Sequence, residues 1–429
     1  MKMFGTMKIE SNNISIGGVI AKDIVNKYGT PVYVYDEELI LNNIRDYKTN
    51  FCNGNENKVA YAGKAFLTLA MCKILKDENM SLDVVSGGEL YTAYKSGFPL
   101  ENVYFHGNNK TIDEIKMGID LKVGRFVVDN LYEMEEINKL ASEESYVQKI
   151  LLRVTPGIEA HTHEYIKTGQ IDSKFGFTIV NDKLIQAVKK AIELPNIELM
   201  GIHCHIGSQI FEIEPFIDAV EVMMNLIKNI KDDIGYELQE LDLGGGFGIY
   251  YKEGDLPVPT KLVCEKILKK AKLMKNKLDI NMPRLIIEPG RSIVGNAGTT
   301  LYTVGSIKRI EDVRKYVAVD GGMTDNIRPA LYKAEYECVI ANRVDEEKKE
   351  TVTISGKCCE SSDILLSNVL IPKAKSGDVL AVLSTGAYGY SMSSNYNKIR
   401  RAAVIMANKG DTRLICERQS YEDLIRGEI

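Results

Sequence analysis

Along the first two thirds of the chain, strand-length apolar runs alternate with longer amphipathic stretches. The runs fall at 58–65, 82–86, 103–106, 125–129, 150–154, 199–206, 238–243 and 285–288. Between several of them lie segments with helical spacing of apolar residues, at 111–120, 130–145, 181–192, 214–231 and 260–278. Such alternation predicts βαβ units and a parallel sheet. Eight units within about 240 residues suit a closed (β/α)8 barrel, with an open doubly wound sheet as the alternative. After residue 295 the pattern changes. Short apolar runs at 299–310, 315–319, 337–343, 350–356, 379–384 and 402–407 are separated by turn residues, and long helical patterns are few. This predicts a mostly antiparallel β domain, a sandwich or barrel. An extended run at 32–35 assigns the N-terminus to it as well. The expected division is a barrel over 36–294 and a β domain from 1–35 and 295–429.

Composition narrows the classes. At 429 residues, 45% hydrophobic and 26% charged, with net charge −5 and the two signs interspersed, the chain reads as globular, without a surface for nucleic acid or anionic lipid. No run approaches the roughly 18 apolar residues of a membrane span, and the N-terminus carries no signal-peptide pattern. Eight cysteines in so long a chain lack disulfide-scaffold or zinc-ribbon spacing, so a reducing cytoplasm is expected.

The unusual polar residues cluster at the C-terminal ends of the expected strands, the rim where barrel enzymes carry their chemistry. The first run ends in Tyr61-Ala-Gly-Lys64-Ala65, a lysine that either snorkels to solvent or, partly desolvated, serves as an amine nucleophile. The sixth ends in His203-Cys-His205-Ile-Gly-Ser208-Gln209. His203 and His205 share a strand face, and His161 and His163 could join them around a metal. No carboxylate stands at ligand spacing, so packed or ring-stacking histidines are expected and no metal. The seventh run ends in Gly244-Gly245-Gly246-Phe-Gly248, bare backbone whose amides can surround an anion. The eighth ends in Glu288-Pro289-Gly290-Arg291, a buried acid that must be paired or protonated, with Arg291 as its plainest partner. Phosphate sites in this fold use the loops after strands seven and eight. A phosphate cup, an amine and a buried carboxylate in one mouth suit pyridoxal phosphate. Two further loops, Gly356-Lys-Cys-Cys359-Glu360-Ser361 and Thr385-Gly-Ala-Tyr388-Gly389, could reach a site or be plain surface turns.

These motifs resemble the fold-type III pyridoxal-phosphate decarboxylases, over about Val32 to Ala407. Besides those above, the resemblance rests on Asp83-Val-Val-Ser-Gly-Gly-Glu89, His106-Gly-Asn-Asn-Lys110 and Arg328-Pro-Ala-Leu-Tyr332. The segments 161–169 and 173–176 resemble the diaminopimelate branch more than the ornithine or arginine branches.

The resemblance implies roles. Lys64 holds the cofactor as a Schiff base, His205 stacks on its ring, and Glu288 keeps the pyridine nitrogen protonated. Ser208, Gly245, Gly246, Gly290 and Tyr388, in the neighbourhood of Pro289 and Arg291, hold the phosphate. Arg291, Arg328, Tyr332 and Tyr388 grip the distal end of the substrate, Glu360 reads its amino group, and Cys359 protonates Cα. It also implies a homodimer with shared sites and decarboxylation of meso-2,6-diaminoheptanedioate to L-lysine. The alternatives are the same chemistry on D-lysine, D-ornithine or carboxynorspermidine, a non-catalytic regulatory homologue, and a racemase on the same barrel. Two departures from the family pattern, Phe66 after the lysine motif and Ile399-Arg400-Arg401, raise questions of local packing.

Overall fold

The structure is a computed structural model that describes residues 2–52, 54–158 and 173–429. The chain divides into two compact units. The barrel unit comprises 44–248 and 257–290, the sheet unit 1–43, 249–256 and 291–429.

In the barrel unit eight parallel strands close on themselves: β1 (Lys58–Ala62), β2 (Ser81–Val84), β3 (Val103–Phe105), β4 (Arg125–Val128), β5 (Gln148–Thr155), β6 (Ile197–His203), β7 (Glu240–Asp242) and β8 (Arg284–Ile287). Each pairs with the next, and β8 with β1, which completes the ring. The expected (β/α)8 barrel is therefore the observed one, and the open-sheet alternative is excluded by that last pairing. Ala60, Tyr104, Val127, Leu151, Met200 and Ile286, from six different strands, pack into one buried apolar layer, so the barrel is filled rather than hollow.

The strands stop where the sequence changes register. The first run continues apolar to residue 65, but a 3-10 turn at Gly63–Ala65 ends the strand at Ala62. Beyond four of the strands the following helix is capped by a side-chain oxygen: Thr68 accepts from Met71 N (3.2 Å), Ser86 from Glu89 N (3.3 Å), Thr111 from Glu114 N (3.3 Å) and Asn130 from Glu133 N (2.9 Å). Each cap contributes about 1 kcal/mol and fixes where the connecting loop must end. Phe66, one of the departures, is fully buried, and its carbonyl accepts from Tyr61 Oη at 2.7 Å.

The sheet unit is built on the long strand Gly298–Ile310, which pairs with Val32–Asp36, Val379–Val382 and Arg314–Val319. Period-2 alternation feeds two cores: Tyr302, Leu380 and Val382 enter one, Leu301, Val379 and Ala381 the other. Most pairings are antiparallel, as expected. Ala403–Asn408 on Val32–Asp36 and Glu350–Ser355 on Arg314–Val319 are parallel, so the sheet is mixed. Strands at Ile364–Ile371 and Asp411–Cys416 were not expected. Asn368 interrupts the first with a positive φ of 55°, and the second has no apolar alternation. In the other departure, Arg401 donates to Ser393 Oγ (2.7 Å) and the Tyr390 carbonyl (2.8 Å). Among the described residues no helix is long and apolar enough to cross a membrane.

Candidate active site

The parallel strands deliver their polar ends to one rim of the barrel. Asp83 lies in β2, His106 follows β3, His203 and Asp242 end β6 and β7, and Glu288 follows β8; all five are buried. Glu288 is the hub. Its Oε1 lies 2.8 Å from His106 Nε2 and its Oε2 3.4 Å from His203 Nε2. The two imidazoles meet edge to face, with centroids 4.9 Å apart. His106 Nε2 is also 3.7 Å from Asp83 Oδ1.

Three buried carboxyls this close cannot all be ionised. Burial pushes Asp83 up, and burial reinforced by the neighbouring Glu288 pushes Asp242 well up. Burial acts on Glu288 too, but the His106 and His203 imidazoles outweigh it and hold this carboxyl well below the usual range. Negative charge is therefore concentrated on Glu288. Burial pushes His203 down to about 4, so at neutral pH it serves Glu288 as a neutral N–H donor. The plain reading of Glu288, a salt bridge with Arg291, gives way to this pair of histidines. The three ligand-type atoms of His106, His203 and Glu288 lie within 4.8 Å of one another, a different trio from the histidines singled out by spacing. His161 and His163 lie outside the described residues.

Lys64 sits in the turn after β1, half-buried, where its charge partly offsets the rise that burial gives Asp83 and Glu89 and adds to the fall that burial gives His205. Burial, with help from Lys64, holds His205 well below its ordinary value. Its Nδ1 accepts from Gly245 N at 3.3 Å, which fixes the neutral tautomer with the proton on Nε2. The glycines at the end of β7 are required by close approach as much as by any ligand. A Cβ on Gly244 would lie 2.5 Å from the Cys204 carbonyl, on Gly245 2.1 Å from that of Glu288, and on Gly246 2.6 Å from that of Gly207. The β7 loop is thus threaded between the loops after β6, which carries Ser208, and β8. Gly290 is similarly confined: a Cβ there would lie 2.9 Å from Ala62 Cβ.

The sheet unit holds a second polar cluster. Arg328 is buried, donates from Nε to Tyr336 Oη at 2.8 Å, and lies 5.5–5.8 Å from the ring centroids of Tyr251, Tyr332 and Tyr388. Arg291 donates from Nη1 to Tyr251 Oη at 2.6 Å and stacks 4.8 Å over Tyr388. Tyr388 has a φ of 61°, a conformation that costs a non-glycine residue of order 1 kcal/mol or more and is held only where surroundings demand it. Among the described residues Arg328 has no carboxylate partner. A buried guanidinium faced by phenols in place of acids keeps donors suited to an anion. The Cys359-Glu360 loop is exposed: Cys359 N donates to Asn397 Oδ1 at 2.8 Å, and Glu360 Oε1 accepts from Ser362 N and Oγ, both at 3.3 Å.

The residues foreseen from sequence thus fall into two groups: Lys64, His205, Ser208, Gly245, Gly246, Glu288, Pro289 and Gly290 in the barrel unit, and Arg291, Arg328, Tyr332, Cys359, Glu360 and Tyr388 in the sheet unit. Sequence reasoning missed His106 and His203 as partners of Glu288, and Arg153, a partly buried cation of β5 whose charge acts on Asp129, Glu288 and Asp83 and which stacks 4.1 Å over Phe175. It also missed Tyr251 and Tyr336. A charge inside an apolar strand was the available signal for Arg153 and Asp83; nothing local marked the tyrosines.

Residues 37–295 match the family model described as pyridoxal-dependent decarboxylase, pyridoxal binding domain. Over 431 aligned residues the chain is 48% identical to diaminopimelate decarboxylase of Bacillus subtilis, covering 100% of this chain and 98% of the relative. It is 50% identical to that of Bacillus methanolicus, with 98% of each covered. A crystal structure of diaminopimelate decarboxylase from M. jannaschii in complex with L-lysine superposes with a TM-score of 0.93 at 38% identity, covering 99% of this chain and 98% of the other. Full-length agreement at this level, on a barrel with this rim, shows that the chain belongs to the diaminopimelate decarboxylase family of pyridoxal-dependent decarboxylases.

Proposed function

We propose that the protein decarboxylates meso-2,6-diaminoheptanedioate at its D centre to give L-lysine and CO2, using pyridoxal phosphate held in the barrel mouth. The barrel residues fit that group. Lys64 offers a primary amine at the end of β1. Glu288, kept ionised by two imidazoles, suits a protonated pyridine nitrogen. The amides of Gly246 and Gly290 donate to no acceptor among the described residues and so remain for a phosphate. When bound, the cofactor supplies a sink for the electron pair that CO2 leaves behind.

The protein's own residues do the rest. Lys64 holds the cofactor, and His205, with its tautomer set by Gly245, stacks against it. His106 and His203 keep the proton demand of the site on Glu288. Arg328 and Arg291 take the carboxylate that is not lost, so that only the D-centre carboxylate lies at the reacting end. Cys359 delivers a proton to Cα and Glu360 reads the distal amino group, both in the partner subunit's site of a homodimer; the exposure of their loop in the single chain supports this reading. All eight cysteines are free thiols, which supports a cytoplasmic setting.

The observation that carries the substrate assignment is the buried Arg328, without an acidic partner among the described residues: a diamine-forming enzyme has no need of it. The test is turnover on meso-diaminopimelate, D-lysine and L-ornithine, read as CO2 release with chiral analysis of the product. L-lysine from the first substrate is expected, and preference for either of the others refutes the assignment. Lys64→Ala should abolish the visible absorbance of the cofactor-loaded protein. Mixing Lys64→Ala with Cys359→Ala subunits should restore turnover that neither has alone; continued silence refutes the shared site.

A further inference from the structure

Asp363 belongs to neither cluster above, yet it is 3% exposed and its carboxylate accepts from two backbone amides, with the Cys358 thiol beside it. Oδ1 accepts from Met323 N at 2.6 Å and Oδ2 from Cys358 N at 2.8 Å. Its own carbonyl accepts from Gly356 N at 2.9 Å, and its amide donates to the Glu360 carbonyl at 3.1 Å. Met323 lies in the turn that leads through Asn326 into the Arg328–Tyr332 helix, where Asn326 Oδ1 accepts from Arg328 N at 3.3 Å. Cys358 adjoins Cys359. One buried carboxylate thus bridges the segment that presents Arg328 and the loop that presents Cys359 and Glu360.

A second, independent feature points the same way. Gly322 and Gly356, one in each segment, close around this carboxylate. A Cβ on Gly322 would stand 2.5 Å from Asp363 Oδ2, and one on Gly356 2.2 Å from it. Neither glycine has a positive φ, so the demand is for space and not for backbone conformation. The sequence gives up two side chains so that an acid can be enclosed between the two segments. Charge-assisted bonds from two amides are strong in such a dry setting. Two further links join the segments: the backbone bond from Lys357 N to the Gly321 carbonyl at 2.9 Å, and the contacts of the Cys358 thiol with Thr324.

We propose that Asp363 is a positioning residue that holds the Cys359-Glu360 loop in register with the Arg328 segment, so that substrate recognition and proton delivery keep a common geometry. This rests on the roles given to Cys359 and Arg328 above.

The experiment uses the full chain loaded with pyridoxal phosphate and compares Asp363→Ala and Asp363→Asn with wild type. Amide hydrogen exchange is followed at 321–326 and 356–360, alkylation of Cys359 by iodoacetamide is located by peptide mass, and kcat and KM are measured on meso-diaminopimelate. Asp363→Ala is expected to speed exchange in both segments together, to change Cys359 alkylation, and to lower kcat by roughly tenfold or more while the cofactor absorbance is retained. Asp363→Asn, which keeps one acceptor and nearly the same shape, should fall between. If Asp363→Ala does not fold, Asp363→Asn carries the comparison. Faster exchange in only one segment, or in neither, overturns the proposal; so does unchanged kcat with both segments loosened. Loosened segments in a protein whose wild type is inactive on meso-diaminopimelate refute the substrate assignment and leave the bridge standing.

Discussion

Arg328→Ala tests the substrate assignment through a quantity that the geometry sets. Nε of Arg328 is committed to Tyr336 Oη at 2.8 Å, which leaves the two Nη groups as a fork that donates to no acceptor among the described residues. Two charge-assisted hydrogen bonds to a carboxylate, at about 1.5–3 kcal/mol each, amount to about 3–6 kcal/mol. At about 1.4 kcal/mol per factor of ten, kcat/KM on meso-diaminopimelate should fall roughly 10²- to 10⁴-fold, mostly through KM. D-lysine carries the reacting centre without the distal carboxylate. Its slow turnover should change little in the variant, so the preference for the dicarboxylate collapses. Arg328→Lys keeps the charge and loses the fork, and is expected to lie between. Steady-state kinetics on both substrates, with cofactor absorbance as the control for site integrity, decide the matter. Equal losses on both substrates, or loss of cofactor with KM unchanged, would show that Arg328 supports the fold or the cofactor and not the distal carboxylate.

Three further outcomes are expected. Glu288→Gln removes the charge that His106 and His203 sustain; at saturating cofactor kcat should drop roughly 10²- to 10³-fold, and a kcat near wild type would detach Glu288 from the chemistry. Gly245→Ala pushes a Cβ to 2.1 Å from the Glu288 carbonyl and should cost about 1–3 kcal/mol in urea unfolding together with weaker cofactor binding, whereas Gly88→Ala, whose Cβ meets nothing closer than Ser86 Oγ at 3.7 Å, should be neutral or stabilising. Because burial lowers His203 from its ordinary value to about 4, the unfolded chain binds a proton between about pH 6.5 and 4 that the folded one refuses. Stability should therefore fall as pH drops through that window, by on the order of 3 kcal/mol from this group. Asp242, with its raised pKa, pulls the other way, so the comparison is the pH slope of wild type against His203→Gln, which should be shallower; equal slopes would remove His203 as the source.

Much of this architecture follows from the sequence because its causes are local. Period, strand length and N-cap side chains at Thr68, Ser86, Thr111 and Asn130 act within a few residues, and eight such units in succession leave a closed barrel as the economical arrangement. Where strands end, loops with Lys64, His205, Gly245 and Glu288 must face one rim, because all the strands run in the same direction. That is why these residues could be named before any tertiary contact was seen. Their partners could not. His106 and His203 lie 182 and 85 positions from Glu288, and only ring closure through β8 and β1 brings the ends of β3, β6 and β8 within hydrogen-bond distance. Which of three buried carboxyls bears the charge is likewise decided by distances among strands and by desolvation, neither of which has a signature in a linear pattern. The triple glycine makes the same point. Sequence marks it as naked backbone, but only the packed loops after β6 and β8 show that each missing Cβ is missing because a carbonyl already occupies its place.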